Sequence, residues 1–87
     1  MSIPKLEVYI RPTCKDCKEM VNFLKSANIP HTVIDITTPE GYLLSKDKEL
    51  HMLPTVFIKD ENGNIINSAF CVDAVKRSLE SGLNGEM

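Results

Sequence analysis

The chain predicts an α/β fold, a four-stranded mixed β-sheet flanked by helices in the order β-α-β-α-β-β-α. Three observations predict it. Two β-like runs, Leu6–Ile10 and Thr32–Ile36, bracket a stretch of helical periodicity, which makes a β-α-β unit with parallel strands. Two more runs flank Asp60-Glu61-Asn62-Gly63, whose Asn-Gly pair is a strong signal for the turn of a hairpin. A final apolar stripe of helical spacing follows Asp73. The 87 residues suit one domain, 1–87, because a chain this short buries only about 60–65% of its unfolded surface and cannot divide its core.

The first strand, Leu6–Ile10, stops at Arg11-Pro12, since proline fixes φ and removes a donor. Cys17, Met20, Val21, Leu24 and Ala27 then recur at the spacing of one helix face, and Asn28-Ile29-Pro30 ends that helix. Thr32–Ile36 is rich in β-branched residues and reads as the second strand. Thr38 is the expected N-cap, and Pro39 the first residue, of a second helix running to about Leu50, although its patterning is weak and Gly41 counts against it. Thr55–Lys59 and Asn64–Asn67 form the hairpin, and Asp73 is the expected cap of a last helix carrying Val75, Leu79 and Leu83, with Gly82 near its end.

Composition excludes several function classes. Ten Lys and Arg are scattered among twelve Asp and Glu for a net charge of −2, so the basic stripe of a nucleic-acid binder is missing. No run approaches the roughly eighteen apolar residues of a membrane span, and the first residues hold no export-type apolar segment. The expected location is the cytoplasm and the expected state a monomer. Three cysteines are too few, and odd in number, for the disulfide framework of a small secreted domain.

Cys14-Lys15-Asp16-Cys17 carries the chemistry. Residues three apart on a helix have Cα atoms about 5 Å apart, within the roughly 4.4–6.8 Å that a disulfide accepts. A helix N-terminus presents unpaired N–H groups and a dipole that favour negative charge there. Cys14 is therefore the expected attacking thiolate, with Cys17, one turn deeper, the resolving thiol. A zinc site would need two further ligands, and Cys71, His31 and His51 supply no second pair of recognisable spacing. Lys15 and Lys18 either stabilise the thiolate or form a solvated face with Asp16, Lys15 being the better placed. Cys71 is expected to be a partly buried small apolar residue, and both histidines surface or structural.

The element order, the Cys-x-x-Cys at the first strand–helix junction and Leu53-Pro54 before the third strand resemble the thioredoxin fold in its compact glutaredoxin form, over about residues 5 to 83. Arg11 matches the family's basic residue three positions before the first cysteine, and Leu53-Pro54-Thr55-Val56 its cis-proline segment. Ser68-Ala69-Phe70-Cys71-Val72-Asp73 resembles the Ser-Gly-Phe-x-x-Asp stretch of NrdH-type redoxins and aligns with the Gly-Gly-Cys-x-Asp stretch of glutathione-binding glutaredoxins. The chain departs from the latter in Lys15-Asp16, where Pro-Tyr is usual, and in Ala69-Phe70, where paired glycines are usual.

The resemblance implies a thiol–disulfide oxidoreductase with no bound cofactor, and glutathione as a candidate co-substrate. It implies a cis Leu53–Pro54 bond beside Cys14, with the Leu53 backbone pairing an extended substrate segment. Arg11 and Asp73, the latter with the amides of the last helix, would hold a carboxylate. Phe70 is either core or part of the rim that receives substrate. Expected partners are a disulfide-containing protein, by resemblance ribonucleotide reductase, and glutathione or thioredoxin reductase as reductant. The rival expectation is a non-catalytic binding module that docks a partner or an iron–sulfur cluster, against which the second cysteine counts.

Overall fold

A computed structural model of the chain describes residues 5–48, 50 and 52–84, with side chains described through residue 79. Strand β1 (Lys5–Ile10) lies inside a four-stranded sheet of order β2-β1-β3-β4. It pairs in parallel with β2 (His31–Asp35) and antiparallel with β3 (Thr55–Lys59), which pairs antiparallel with β4 (Ile65–Ala69). Helices α1 (Lys15–Ser26), α2 (Pro39–Ser45) and α3 (Val72–Asn84) complete the order β-α-β-α-β-β-α that the sequence predicts.

The sheet's two faces follow from the alternation of side chains along each strand. Leu6 and Val8 of β1, Val56 and Ile58 of β3 and Ala69 of β4 share one face, where they pack with Met20 and Leu24 of α1 and Val75 of α3 in the main core. Tyr9 and its register partner Thr55 are buried on the other face. There the Tyr9 ring meets Phe57 edge to face at 5.5 Å, and the Lys48 ammonium lies 5.8 Å from its centre. Burial, with the Glu7 carboxylate beside it, pushes the Tyr9 phenol up to about 12. No helix among the described residues is long and apolar enough to cross a membrane.

Helix α1 ends where Asn28 adopts a left-handed φ of 56°. The Ile29 N–H then donates to Leu24 O (3.0 Å) and the Asn28 N–H to Lys25 O (3.1 Å), which satisfies two carbonyls of the last turn. Ala27, expected on the apolar stripe, is instead the exposed C-cap, because the helix has already begun to unwind at that point. At the hairpin, Gly63 takes a φ of 87° and the Asp60 carboxylate accepts the Asn62 and Asn64 N–H groups, each at 2.9 Å.

Thr38 and Pro39 start α2 as the sequence predicts, with the Gly41 N–H donating to Thr38 Oγ1 at 3.0 Å. The helix closes at Ser45 rather than near Leu50. Gly41 proves to be the reason α2 can sit where it does. A Cβ at that position would stand 1.8 Å from the Asp35 carbonyl oxygen, so only glycine lets the first turn press against the end of β2.

Helix α3 starts at Val72, two residues earlier than a cap at Asp73 predicts. Val75 N–H donates to Cys71 O (3.1 Å), so Cys71 holds the cap position and Asp73 lies in the first turn. Cys71 is exposed rather than partly buried, since it stands in the short turn between β4 and α3. His31 is half-buried and its Nδ1–H donates to Ile29 O at 2.7 Å, while His51 and the side chain of Leu83 lie outside the described residues.

Gly41→Ala separates two opposing effects. Alanine favours a helix by about 1 kcal/mol over glycine, but the backbone clash at Asp35 forces α2 to shift, at a cost of roughly 2–3 kcal/mol. The variant should therefore be less stable in urea unfolding by at least about 1 kcal/mol. Equal or greater stability would show that the contact does not constrain α2.

Candidate active site

The site grows from the end of β1. After Ile10 the chain turns through Arg11, Pro12 and Thr13, and the Cys14 N–H donates to Arg11 O at 3.0 Å. Cys14 keeps extended angles, φ −85° and ψ 117°, as the N-cap of α1. Its sulfur accepts the Cys17 N–H at 3.1 Å, and its carbonyl accepts the Lys18 N–H at 3.3 Å. A sulfur therefore serves where Ser, Thr, Asp or Asn usually satisfies a free amide of the first turn.

Helix periodicity makes the two thiols unequal. Cys14, at the cap, is partly open to solvent, whereas Cys17 is the first core residue of the α1 stripe and has 0% exposure. Burial chiefly pushes the Cys17 thiol up to about 11, and its hydrogen bond with the Cys14 thiol adds to the rise. Both cysteines are free thiols.

The second wall comes from the segment before β3. The Leu53–Pro54 peptide bond is cis, as the resemblance implies, and Pro54 is buried. Thr55 Oγ1 donates to Met52 O and ties the segment together, and Leu53 O lies 3.9 Å from Cys14 Sγ as the acceptor of its weak S–H bond. The third wall comes from the turn after β2, where Ile36 N–H donates to Ile10 O at 3.0 Å. Together these segments enclose an open cavity of about 420 Å³, lined among the described residues by Arg11, Thr13, Cys14, Ile36, Leu50, Met52 and Leu53.

Three of the residues singled out in the sequence, Arg11, Cys14 and Leu53, thus meet in one cavity. Lys15, exposed on the first turn of α1, does not line it. Phe70 is 45% exposed, which rules out the core reading, and Asp73 is exposed in the first turn of α3. The register Val56↔Ala69 places the chain beyond Ala69 at the Leu53-Pro54 end of the sheet, so Phe70 and Asp73 border that end without lining the cavity. Sequence reasoning missed Thr13, Ile36, Leu50 and Met52. Thr13 adjoins Cys14 and Met52 adjoins Leu53, a positional signal, whereas Ile36 enters only through the β1–β2 pairing. Among the described residues no group of three or more His, Cys, Asp or Glu side chains is arranged to hold a metal ion.

The profile described as Glutaredoxin matches residues 6–62. No curated protein matches the chain. Among solved structures, thioredoxin 1 from the thermophilic eubacterium Thermosipho africanus TCF52B is similar with 27% identity and a TM-score of 0.70, over 91% of this chain and 93% of that one. A thioredoxin-fold protein from Helicobacter pylori shares 15% identity at a TM-score of 0.77, over 97% of this chain and 71% of that one. The long form of thioredoxin f from spinach chloroplast shares 18% identity at a TM-score of 0.75, over 93% and 71%. The two lower identities speak for the thioredoxin fold alone.

The Cys17 thiol gives the reduced protein a pH dependence of definite sign. In the unfolded chain this thiol ionises near its ordinary 9, but in the fold only near 11, so between those values the unfolded state holds fewer protons. Stability is then fully present below pH 9 and falls as pH rises towards 11. Tyr9 adds a loss of the same sign between 10 and about 12. Urea unfolding of the reduced protein should show the decline, and Cys17→Ser should remove the part of it below pH 10. An unchanged slope in that variant would contradict the burial-driven shift.

Proposed function

The chain belongs to the glutaredoxin family, and from that premise we propose that it is a dithiol thiol–disulfide oxidoreductase that reduces disulfides in proteins. The observation that carries this reading is the inequality of the pair. The Cys14 sulfur faces an open cavity from the N-cap of α1, while Cys17 lies buried one turn behind it with its N–H on that sulfur.

In the proposed reaction the Cys14 thiolate attacks one sulfur of the substrate disulfide. The other sulfur leaves as a thiolate and takes up a proton, and a mixed disulfide remains on Cys14. Cys17 then gives up its proton and attacks the Cys14 sulfur. The second substrate sulfur leaves as a thiol, and the Cys14–Cys17 disulfide holds the two electrons' worth of oxidation. The cis Leu53–Pro54 segment, with Leu53 O beside Cys14, is a rail along which an extended substrate strand would pair. Arg11 in the cavity wall, bordered by Phe70 and Asp73 at the same end of the sheet, would orient an anionic group. Lys15 starts next to Cys14 and would favour its thiolate.

Glutathione as co-substrate, or thioredoxin reductase, returns the pair to dithiol, and no bound cofactor is required. Ribonucleotide reductase is one protein whose disulfide chemistry fits, and the proposed setting is the reducing cytoplasm.

Reduction of a small symmetric disulfide by the purified protein tests the mechanism. Cys14→Ser should bring the rate to the uncatalysed background. Cys17→Ser should accumulate a mixed disulfide visible as a mass adduct on Cys14. Parental rates in Cys14→Ser would remove Cys14 from the chemistry and with it the proposed mechanism.

A further inference from the structure

We infer that a second groove, between α1 and the free edge of β2, docks an acidic, apolar-bearing segment of a protein partner. The groove has a volume of about 570 Å³ and an apolar floor that includes Ile10, Val21 and Val33. Val33 shows why it is open. Its register neighbour Val8 shares the same face of the sheet and is fully buried, yet Val33 is 40% exposed because β2 is an edge strand.

The rim is basic. Arg11, Lys18 and Lys25 line the groove, and no Asp or Glu does. Lys18 and Lys25 are seven residues apart with Val21 between them, so they follow one stripe of α1 alongside the floor. None of the three cations has a carboxylate partner among the described residues, where the ion pair present is Lys59–Glu7 at 2.9 Å. Three cations unpaired among the described residues, around an apolar floor in a chain of net charge −2, concentrate positive potential at one place. Carboxylates of an extended segment would meet the rim while its apolar side chains cover Val33 and Val21. A nucleic acid fits less well, since no aromatic ring lines the groove to stack a base.

The inference rests on the proposed redox function only in taking the partner to be a protein whose disulfide is reduced. Docking itself needs neither thiol. Arg11 also lines the cavity at Cys14, so a segment held in this groove lies beside the reactive sulfur's opening.

The test uses the reduced full chain with a fluorescent peptide of alternating Glu and Leu, a matched Lys and Leu peptide, and single-stranded oligothymidylate. The Glu and Leu peptide should bind, weaken with added salt, and shift the amide resonances of Val21, Lys25 and Val33. Lys25→Gln should lower its affinity about threefold, and Lys18→Gln with Lys25→Gln about tenfold. Lys25→Arg should restore parental binding, and Lys25→Gln should leave reduction of a small disulfide unchanged. The inference is overturned if the peptide does not bind, if the Lys and Leu peptide binds as well, if oligothymidylate binds more tightly, or if the shifts fall elsewhere. A docking result with an inactive-thiol result would sink the redox reading alone, and the reverse combination the docking alone.

Discussion

The hydrogen bond from the Cys17 N–H to the Cys14 sulfur is the junction on which the rest of the structure depends. A helix that begins a short turn after an interior strand must satisfy its first amides within a few residues, and here the Cys14 sulfur itself does so. The same bond fixes the phase of α1. With Cys14 at the cap, Cys17, Met20 and Leu24 fall on the buried side of α1, where Met20 and Leu24 join the main core and Cys17 is fully buried one turn before them. Unequal exposure of the two thiols thus follows from helix geometry and needs no special residue between them.

The walls of the cavity are held by contacts of a different kind. Gly41 allows α2 to close on the Asp35 carbonyl, and Ile36, next to Asp35, extends the pairing of β1 and β2 by one hydrogen bond. The other wall is the Leu53-Pro54 segment, anchored through Thr55 at the buried start of β3. A strand end, a helix start and two loops therefore converge at one end of the sheet. The side chains that converge are mostly apolar, with Arg11 as the cation among them.

Much of this was legible in the sequence because the signals were local. The β-α-β unit, the Asn-Gly hairpin and the Thr38-Pro39 start each depend on neighbours within a few residues, and each appears as expected. Gly41 counts against a helix by propensity alone, which treats glycine as a helix breaker, while its contact with Asp35 is tertiary. The α2 boundary failed for a related reason, since nothing local in Lys46–Leu50 marks where the helix stops. The average habits of free cysteine predict a partly buried Cys71, but the turn into α3 leaves it open. Ile36 and Leu50 could join the cavity list only once strand pairing was known. The basic groove was invisible because the cations of α1 look like an ordinary solvated face until Val33 is seen to lie exposed beside them.

The sulfur cap has a thermodynamic corollary. Folding and oxidation form a closed cycle, so any free energy by which the fold favours the dithiol over the disulfide must reappear as a more oxidising midpoint potential. The bond from the Cys17 N–H is made to a reduced sulfur, and a thiolate accepts it more strongly than a sulfur already joined to another. For the proposed redox couple, the first turn of α1 would therefore be an electrochemical element as much as an architectural one. Substitutions that tighten or fray it would act on the voltage of that proposed couple without touching either cysteine.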